Sequence, residues 1–299
     1  MKVLYIYRNP KMGFSIGKVF RPIEEEMRKY AEVNSLYMPE FGYGLKSLVK
    51  NIKCVRKAVA SEKYDIVHIT GTEHYLIPFL RKGNVVITIH DLGFFTNKKL
   101  SLSSISKYFI WIKTLPLAKR VTFISESSKQ EAEKYVKFTN GQASVIPDPF
   151  DKAYEYSPKK INGDCPRVLH IGSKPNKNLN NTILALEGMN CHFRIVAKIS
   201  DSQKEQLDLL KIDYSVVCNI SDDEMLQEYK DCDIVSFPSL YEGFGMPIIE
   251  GQSIGRPVVT SNIEPMKSIA GGAAVLVEPS DYKSIRKGYE EAIKILNPI

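Results

Sequence analysis

Apolar, β-branched or aromatic runs of four to six residues recur along the chain, and longer amphipathic stretches separate them. In the first half the strand-like runs are 3–7, 33–38, 65–70, 85–90, 121–125 and 143–146. Helical spacing is expected near 17–30, 44–62, 101–118 and 126–137. The second half repeats the rhythm, with strands at 167–171, 193–197, 214–218, 233–237, 257–261 and 273–277. Helices are expected there near 178–188, 202–211, 222–230, 246–254 and 282–296. Strands that alternate with helices predict parallel sheets covered on both faces, and near-continuous apolar strands suit that burial. Ser128-Lys-Gln-Glu131 and Ser221-Asp-Asp-Glu224 match capping boxes, in which Ser and Glu satisfy exposed N–H groups reciprocally. Residues 147–166 carry Pro147, Pro149, Pro158 and Pro166 without periodicity and read as a linker. Two α/β domains follow, 1–150 and 151–299. The N-terminal apolar run reads as a buried first strand rather than a signal peptide.

Composition narrows the class. With 43% hydrophobic and 25% charged residues over 299 positions, the chain is neither disordered nor fibrous. Five cysteines without a C-x-x-C pair read as reduced thiols in a cytoplasmic protein. No run reaches the ~18 apolar residues of a membrane span. Residues 1–150 hold 24 Lys+Arg against 13 Asp+Glu, a net of +11; residues 151–299 hold 17 against 21, a net of −4. The asymmetry predicts an anionic partner for the first half. Residues 44–61 contain Lys46, Lys50, Lys53, Arg56 and Lys57 and no acid, with Leu45, Leu48, Val49, Ile52, Val55 and Val59 at helical spacing. Such a helix suits an anionic membrane surface. It equally suits packing on a sheet with the basic face solvated. A second basic stretch, 98–120, carries Phe109–Ile112 among six Lys/Arg. Nucleic acid is not expected, because no helix-turn-helix, zinc or RNA-binding signature occurs.

The most specific chemistry lies in Phe237-Pro-Ser-Leu-Tyr-Glu-Gly-Phe-Gly-Met-Pro-Ile-Ile-Glu250. A strand ends, a loop with Gly243 and Gly245 follows, and a helix begins near Pro247, where a missing N–H costs nothing. That places Gly243-Phe244-Gly245 at a helix N-terminus on the carboxyl edge of a parallel sheet, where ligands bind and phosphate is favoured. Glu242 and Glu250, with seven residues between them, could accept hydrogen bonds from polyol hydroxyls. Ser239-Leu-Tyr-Glu242 also matches a capping box, which would make Glu242 structural. The two glycines and Pro247 favour a later helix start.

This segment resembles the signature of retaining family 4 (group 1) glycosyltransferases of the GT-B fold: two glutamates with seven residues between them, the E-G-F-G-x-P core, then Gly255-Arg-Pro-Val-Val-Thr-Ser261. Further stretches resemble the family in its order along the chain. They are the strand ending in His90-Asp91, Thr122-Phe-Ile-Ser-Glu-Ser-Ser128, Val145-Ile-Pro-Asp-Pro-Phe-Asp151, and Ile171-Gly-Ser-Lys-Pro-Asn-Lys-Asn-Leu179. The resemblance implies two Rossmann-like domains with parallel sheets facing across a cleft, the first for acceptor and the second for nucleotide-sugar. It implies that Glu242 holds hydroxyls of the transferred sugar, that Phe244 and Gly245 amides touch sugar or diphosphate, and that Glu250 takes the ribose. Lys177 would neutralise the leaving diphosphate beside Gly172 and Ser173, and His90 would face the donor sugar. His90 is otherwise a core histidine and Lys177 a solvated lysine at a helix start. The chain departs from the family where Arg usually follows Gly172, since Ser173 stands there; where Asn-Gly is usual, since Asp148-Pro149 stand there; and at the first glycine loop, Gly13-Phe-Ser-Ile-Gly17. The last helix is expected to abbreviate a crossover to the first domain.

The activity these readings predict is retaining transfer of a sugar from a UDP-, GDP- or ADP-sugar to a glycan or lipid-linked acceptor. It needs neither metal nor cofactor, because lysine and helix terminus stabilise the leaving group. No Ser/His/Asp or Cys/His set supplies a nucleophile. The alternatives are a sugar-nucleotide epimerase on the same fold and a non-catalytic sugar-nucleotide-binding relative. The expected location is cytoplasmic, peripheral on the inner face of a membrane.

Overall fold

The computed structural model describes residues 1–12, 15–80, 83–93, 108–159 and 164–296. The chain divides into two compact units, Met1–Pro149 and Phe150–Ile299. The first contains β1 (Lys2–Tyr7), α1 (Ser15–Met27), β2 (Glu32–Tyr37), α2 (Leu45–Ser61), β3 (Ile66–Ile69), β4 (Val85–Ile89), β5 (Arg120–Phe123), α3 (Glu126–Glu133) and β6 (Ala143–Val145). Its six strands are parallel in the order β2-β1-β3-β4-β5-β6. Alternation along β1 explains its uniform burial. Val3, Tyr5 and Tyr7 join Phe20 of α1 on one face, and Leu4 and Ile6 join Ile69, Val55 and Ile87 on the other. Each such buried side chain contributes about 1.5–3 kcal/mol.

The second unit contains β7 (Arg167–Ile171), α4 (Leu179–Ala185), β8 (His192–Val196), α5 (Asp201–Leu209), β9 (Asp213–Val217), α6 (Asp222–Asp231), β10 (Ile234–Phe237), α7 (Met246–Ile254), β11 (Val258–Ser261), α8 (Met266–Ala270), β12 (Val275–Val277) and α9 (Tyr282–Leu296). Its sheet is also all parallel, in the order β12-β11-β10-β7-β8-β9. Both sheets are doubly wound. Strand order reverses between β1 and β3 in the first and between β7 and β10 in the second, and ligands of open α/β sheets bind outside the carboxyl ends at such a reversal.

All twelve expected strands form. The helices differ more. Ser128 is not an N-cap: Ser125 caps α3 and accepts from the Ser128 N–H, so Ser128 sits inside the helix. The Ser221–Glu224 box forms, and so does an unanticipated one, Ser200 with Gln203. In place of the helix expected over 101–118, residues Tyr108–Ile112 form a π turn and Leu115–Leu117 a 3-10 turn. Residues 101–107 of that stretch lie outside the described residues, as do Gly13 and Phe14 of the first glycine loop and the last three residues after α9. Part of the proline-rich linker is packed rather than free. The buried Tyr154 meets Tyr229 edge-on at 5.3 Å, Tyr156 covers Gly255, and Arg256 donates to the Ser157 carbonyl at 3.0 Å. Helix α2 packs through Leu48, Ile52, Val55 and Val59. Leu45 and Val49 are turned away from that face, 78% and 42% exposed.

Candidate active site

Two loops leave the carboxyl ends of β7 and β10, the strands flanking the reversal in the second sheet. The first starts at Gly172, whose φ of +96° favours glycine and whose missing Cβ lets the Lys177 stem approach; a Cβ would stand 2.9 Å from Lys177 Cγ. Pro175–Lys177 form one 3-10 turn, and Asn178 follows in the left-handed region, φ 62°, as the cap of α4. Buried Asn178 donates to the Pro238 carbonyl at 2.9 Å and the Pro279 carbonyl at 2.6 Å, tying this turn to the exits of β10 and β12. Asn176 donates to the Tyr241 carbonyl at 3.1 Å and to Glu242 Oε1 at 3.2 Å. These two asparagines were missed as site residues. The Lys-Asn pair was visible in the sequence, but nothing there says which carbonyls an amide reaches.

The stitching brings Lys177 onto Glu242, Nζ to Oε1 2.7 Å, with the ammonium also 4.7 Å from the Phe237 ring centroid. Both side chains are largely buried, and the Lys177 charge is felt by the enclosed His170, whose pKa falls to about 3, mainly from burial. Glu242 is therefore an ion-pair partner and not a helix cap. The helix that follows, α7, starts only at Met246 with Gly245 as its N-cap, φ +140°, and no capping side chain. Gly243 and Phe244 complete the loop, the Phe244 ring buried. A Cβ at Gly245 would meet Ile248 at 3.0 Å. Glu250 lies one turn into α7, where the Tyr229 hydroxyl donates to its Oε2 at 2.5 Å. Tyr229 is enclosed, and burial with the adjacent carboxylate drives its pKa far upward, so it remains a donor.

Ser173 does not point to this cluster; its hydroxyl donates to the Lys198 carbonyl at 2.6 Å. With Lys174, Asn181 and Gln203 it borders a neighbouring cavity of about 360 Å³, which includes neither glutamate. His90 belongs to the first unit. Its Nε2 donates to the Thr70 carbonyl at 2.9 Å, which fixes the tautomer, and Nδ1 lies 3.9 Å from Asp148 Oδ1. The Ser128 hydroxyl donates to the His90 carbonyl at 3.3 Å. The sequence holds one Asp-x-Asp, a pattern that can hold a metal ion: Asp231-Cys-Asp233. It stands at the amino end of β10, away from the loops. There the buried Asp233 pairs with Lys159 at 2.6 Å and accepts from the Arg167 N–H at 2.8 Å.

Acid, lysine, glycine turn and uncapped helix start meet at one sheet edge, an arrangement whose chemistry suits hydroxyls and phosphate. Residues 156–295 match the sequence family described as glycosyl transferases group 1, and residues 18–154 match glycosyltransferase family 4. The two matches fall one on each half of the chain and together span nearly all of it. Among curated relatives, the O-antigen chain mannosyltransferase RfbU of Salmonella typhimurium is 26% identical over 240 residues, 78% of this chain and 65% of RfbU. The match thus spans slightly less than two thirds of that relative. Sucrose-phosphate synthase from Thermosynechococcus elongatus superposes with a TM-score of 0.80 at 15% identity, over 100% of this chain and 90% of that one. Anabaena HepE, solved in complex with UDP and glucose, gives 0.74 at 16%, over 100% and 90%. These likenesses establish GT-B as the fold of this chain.

Proposed function

We propose that this protein is a glycosyltransferase that moves a hexosyl residue, mannose as the first reading, from a nucleotide-diphospho-sugar to a glycan or lipid-linked acceptor with retained anomeric configuration. The second unit takes the donor and the first unit the acceptor. The observation that carries the reading is the Lys177–Glu242 pair against the glycine loop that opens α7. Glu242 would accept hydroxyls of the transferred sugar, Glu250 those of the ribose, and Phe244 and Gly245 amides would face the diphosphate. As the glycosidic bond breaks, charge grows on the β-phosphate oxygens. An ammonium and a helix N-terminus aimed there lower the barrier without a metal. The acceptor oxygen bonds to the anomeric carbon on the face the diphosphate leaves, and a departing phosphate oxygen takes the acceptor's proton. The mannosyl reading, and a role in O-antigen-type polysaccharide assembly, rest on the name of RfbU. The nucleotide base is left to experiment among uridine, guanosine and adenosine.

The membrane reading belongs to α2, where Lys46, Lys53, Arg56 and Lys57 are exposed and Lys50 reaches Glu40 at 2.6 Å. Among the described residues no helix is long and apolar enough to cross a membrane. The protein would then lie on the cytoplasmic surface.

Thermal-shift measurements with UDP, GDP, ADP and their sugars test the donor. A ligand at 100 times its dissociation constant adds about 2.7 kcal/mol. Release of nucleoside diphosphate only when an acceptor is present, with product of the donor's anomeric configuration, supports the proposal. Acceptor-independent conversion of the sugar favours an epimerase, and binding without turnover a non-catalytic relative.

A further inference from the structure

The first sheet has its own reversal, between β1 and β3, and the polar groups gathered there are not explained by the donor site. Arg8 follows β1, Thr70, Thr72 and Glu73 follow β3, Asp91 follows β4, and Tyr43 reaches in from the loop before α2. Glu73 is the anomaly among them. It is 2% exposed, yet among the described residues its Oε2 has no hydrogen-bond partner, while Oε1 takes a long bond from Thr72 Oγ1, 3.3 Å. A buried carboxylate with an idle oxygen costs several kcal/mol unless it holds a proton or meets a donor. Among the described residues no donor reaches it: the indole N–H of Trp111 goes to the Thr72 carbonyl at 2.9 Å, the Tyr75 hydroxyl, which accepts from Asn51 at 3.0 Å, directs no hydrogen bond to Glu73, and Arg8 acts on Glu73 through its charge. Tyr43, whose hydroxyl engages Thr72, is 41% exposed. It lies edge-on to Trp111 at 5.0 Å, and nearby Phe41 is 59% exposed beneath the Lys11 ammonium.

We propose that Glu73 is a ligand-contacting carboxylate at this reversal, taking a hydroxyl of a neutral saccharide whose ring faces Tyr43 and Phe41. Its position is the one that doubly wound sheets use for ligands. Exposed aromatic faces with a few convergent polar groups suit a sugar's C–H surface and its hydroxyls. A phosphate is disfavoured because it would face the Glu73 carboxylate. The saccharide would be the acceptor, a name that rests on the glycosyltransferase reading; the site itself does not.

Burial raises the Glu73 pKa to about 7, against the lowering influence of Arg8 and the Thr72 bond. Tyr43 and Tyr75 also feel its charge, and Tyr43 feels Asp91. His74, the next residue, stays neutral, pushed down to about 4. A hydroxyl donor prefers the ionised carboxylate, so binding tightens as pH rises. With a pKa of about 7, the ionised fraction grows roughly tenfold between pH 6 and pH 8, and apparent affinity follows it.

The test is calorimetry of the full chain with methyl α-D-mannopyranoside, methyl α-D-glucopyranoside and methyl α-D-galactopyranoside at both pH values, with inorganic phosphate as control. The expected result is binding of at least one glycoside about tenfold tighter at pH 8, with proton release measured in two buffers, and loss of that pH dependence in Glu73→Gln. Glycoside binding that is absent or flat with pH in the wild type, or wild-type binding of inorganic phosphate at least as tight as that of the glycosides, overturns the proposal. The proton-release measurement needs only the wild type, so a variant that fails to fold leaves the test intact. Nucleotide-sugar thermal shifts, run in parallel, report on the donor reading separately.

Discussion

Lys177 has a partner before any diphosphate arrives, and that shapes what its removal does. Lys177→Ala deletes a contact that strengthens as the leaving group departs, an effect worth about 2–4 kcal/mol at such sites. Transfer should fall about 30- to 1000-fold with the melting temperature little changed; more than half the wild-type rate would take Lys177 out of the site. The ion pair also separates the two glutamates. Glu242→Gln frees Lys177, so free nucleoside diphosphate should bind at least as well as to wild type while the sugar nucleotide binds about tenfold more weakly. Glu250→Gln should weaken both ligands alike, because Glu250 would meet the ribose they share. Calorimetry on both variants decides it, and equal losses in Glu242→Gln would mean no sugar contact. Glu73 carries a stability signature of its own. Its folded pKa of about 7 lies above the ordinary carboxylate value. The folded protein therefore binds that proton more tightly than the unfolded chain. The resulting destabilisation is absent below about pH 4.5, grows as pH rises to 7 and levels off above it, at about 3 kcal/mol. Comparing unfolding at pH 5 and pH 8, Glu73→Gln should lose this part of the slope.

At the scale of elements, loops position the site more than helices do. Asn178 holds a left-handed backbone and two carbonyls from other loops, so Asn178→Ala combines strain with two unmet acceptors. A loss of about 2–4 kcal/mol is expected, which for a unit of this size lowers the melting temperature by roughly 5–15 °C. Asn178→Gly should recover only the part due to strain. Helix α2 shows how a periodic pattern divides between roles. Leu48, Ile52, Val55 and Val59 pack inward, while Leu45 and Val49 join the lysines outside. Each basic side chain near an anionic surface contributes about 1 kcal/mol, decaying over a Debye length. Changing Lys46, Lys50, Lys53 and Lys57 to Ser should abolish low-salt sedimentation with anionic vesicles and leave turnover of a soluble acceptor unchanged. Sedimentation by the variant would direct attention to the second basic stretch, and none by the wild type would retire the membrane reading.

At the scale of the molecule, the two sheets carry opposite net charge over similar architecture, +11 in the first 150 residues and −4 in the remainder. Strand identity was legible throughout, because β-branched runs buried on both faces leave a local mark that flanking polar residues sharpen. The glycine loop was legible too: a strand end, glycines and Pro247 set the start of α7 by backbone chemistry alone. Local patterns failed where neighbours compete. Two serines three residues apart could each cap α3, and only packing chose Ser125. The sequence by itself determined the class of fold and the edge of the second sheet that holds the glycine loop, and it singled out Lys177, Glu242 and Glu250 as candidates. Tertiary structure alone decided that Lys177 and Glu242 pair, that Asn176 and Asn178 bind the two loops, that Ser173 turns away, and that Glu73 is buried with an idle oxygen. Each of these depends on residues tens of positions apart meeting at one sheet edge. Strand order sets that edge, and no window along the chain contains it.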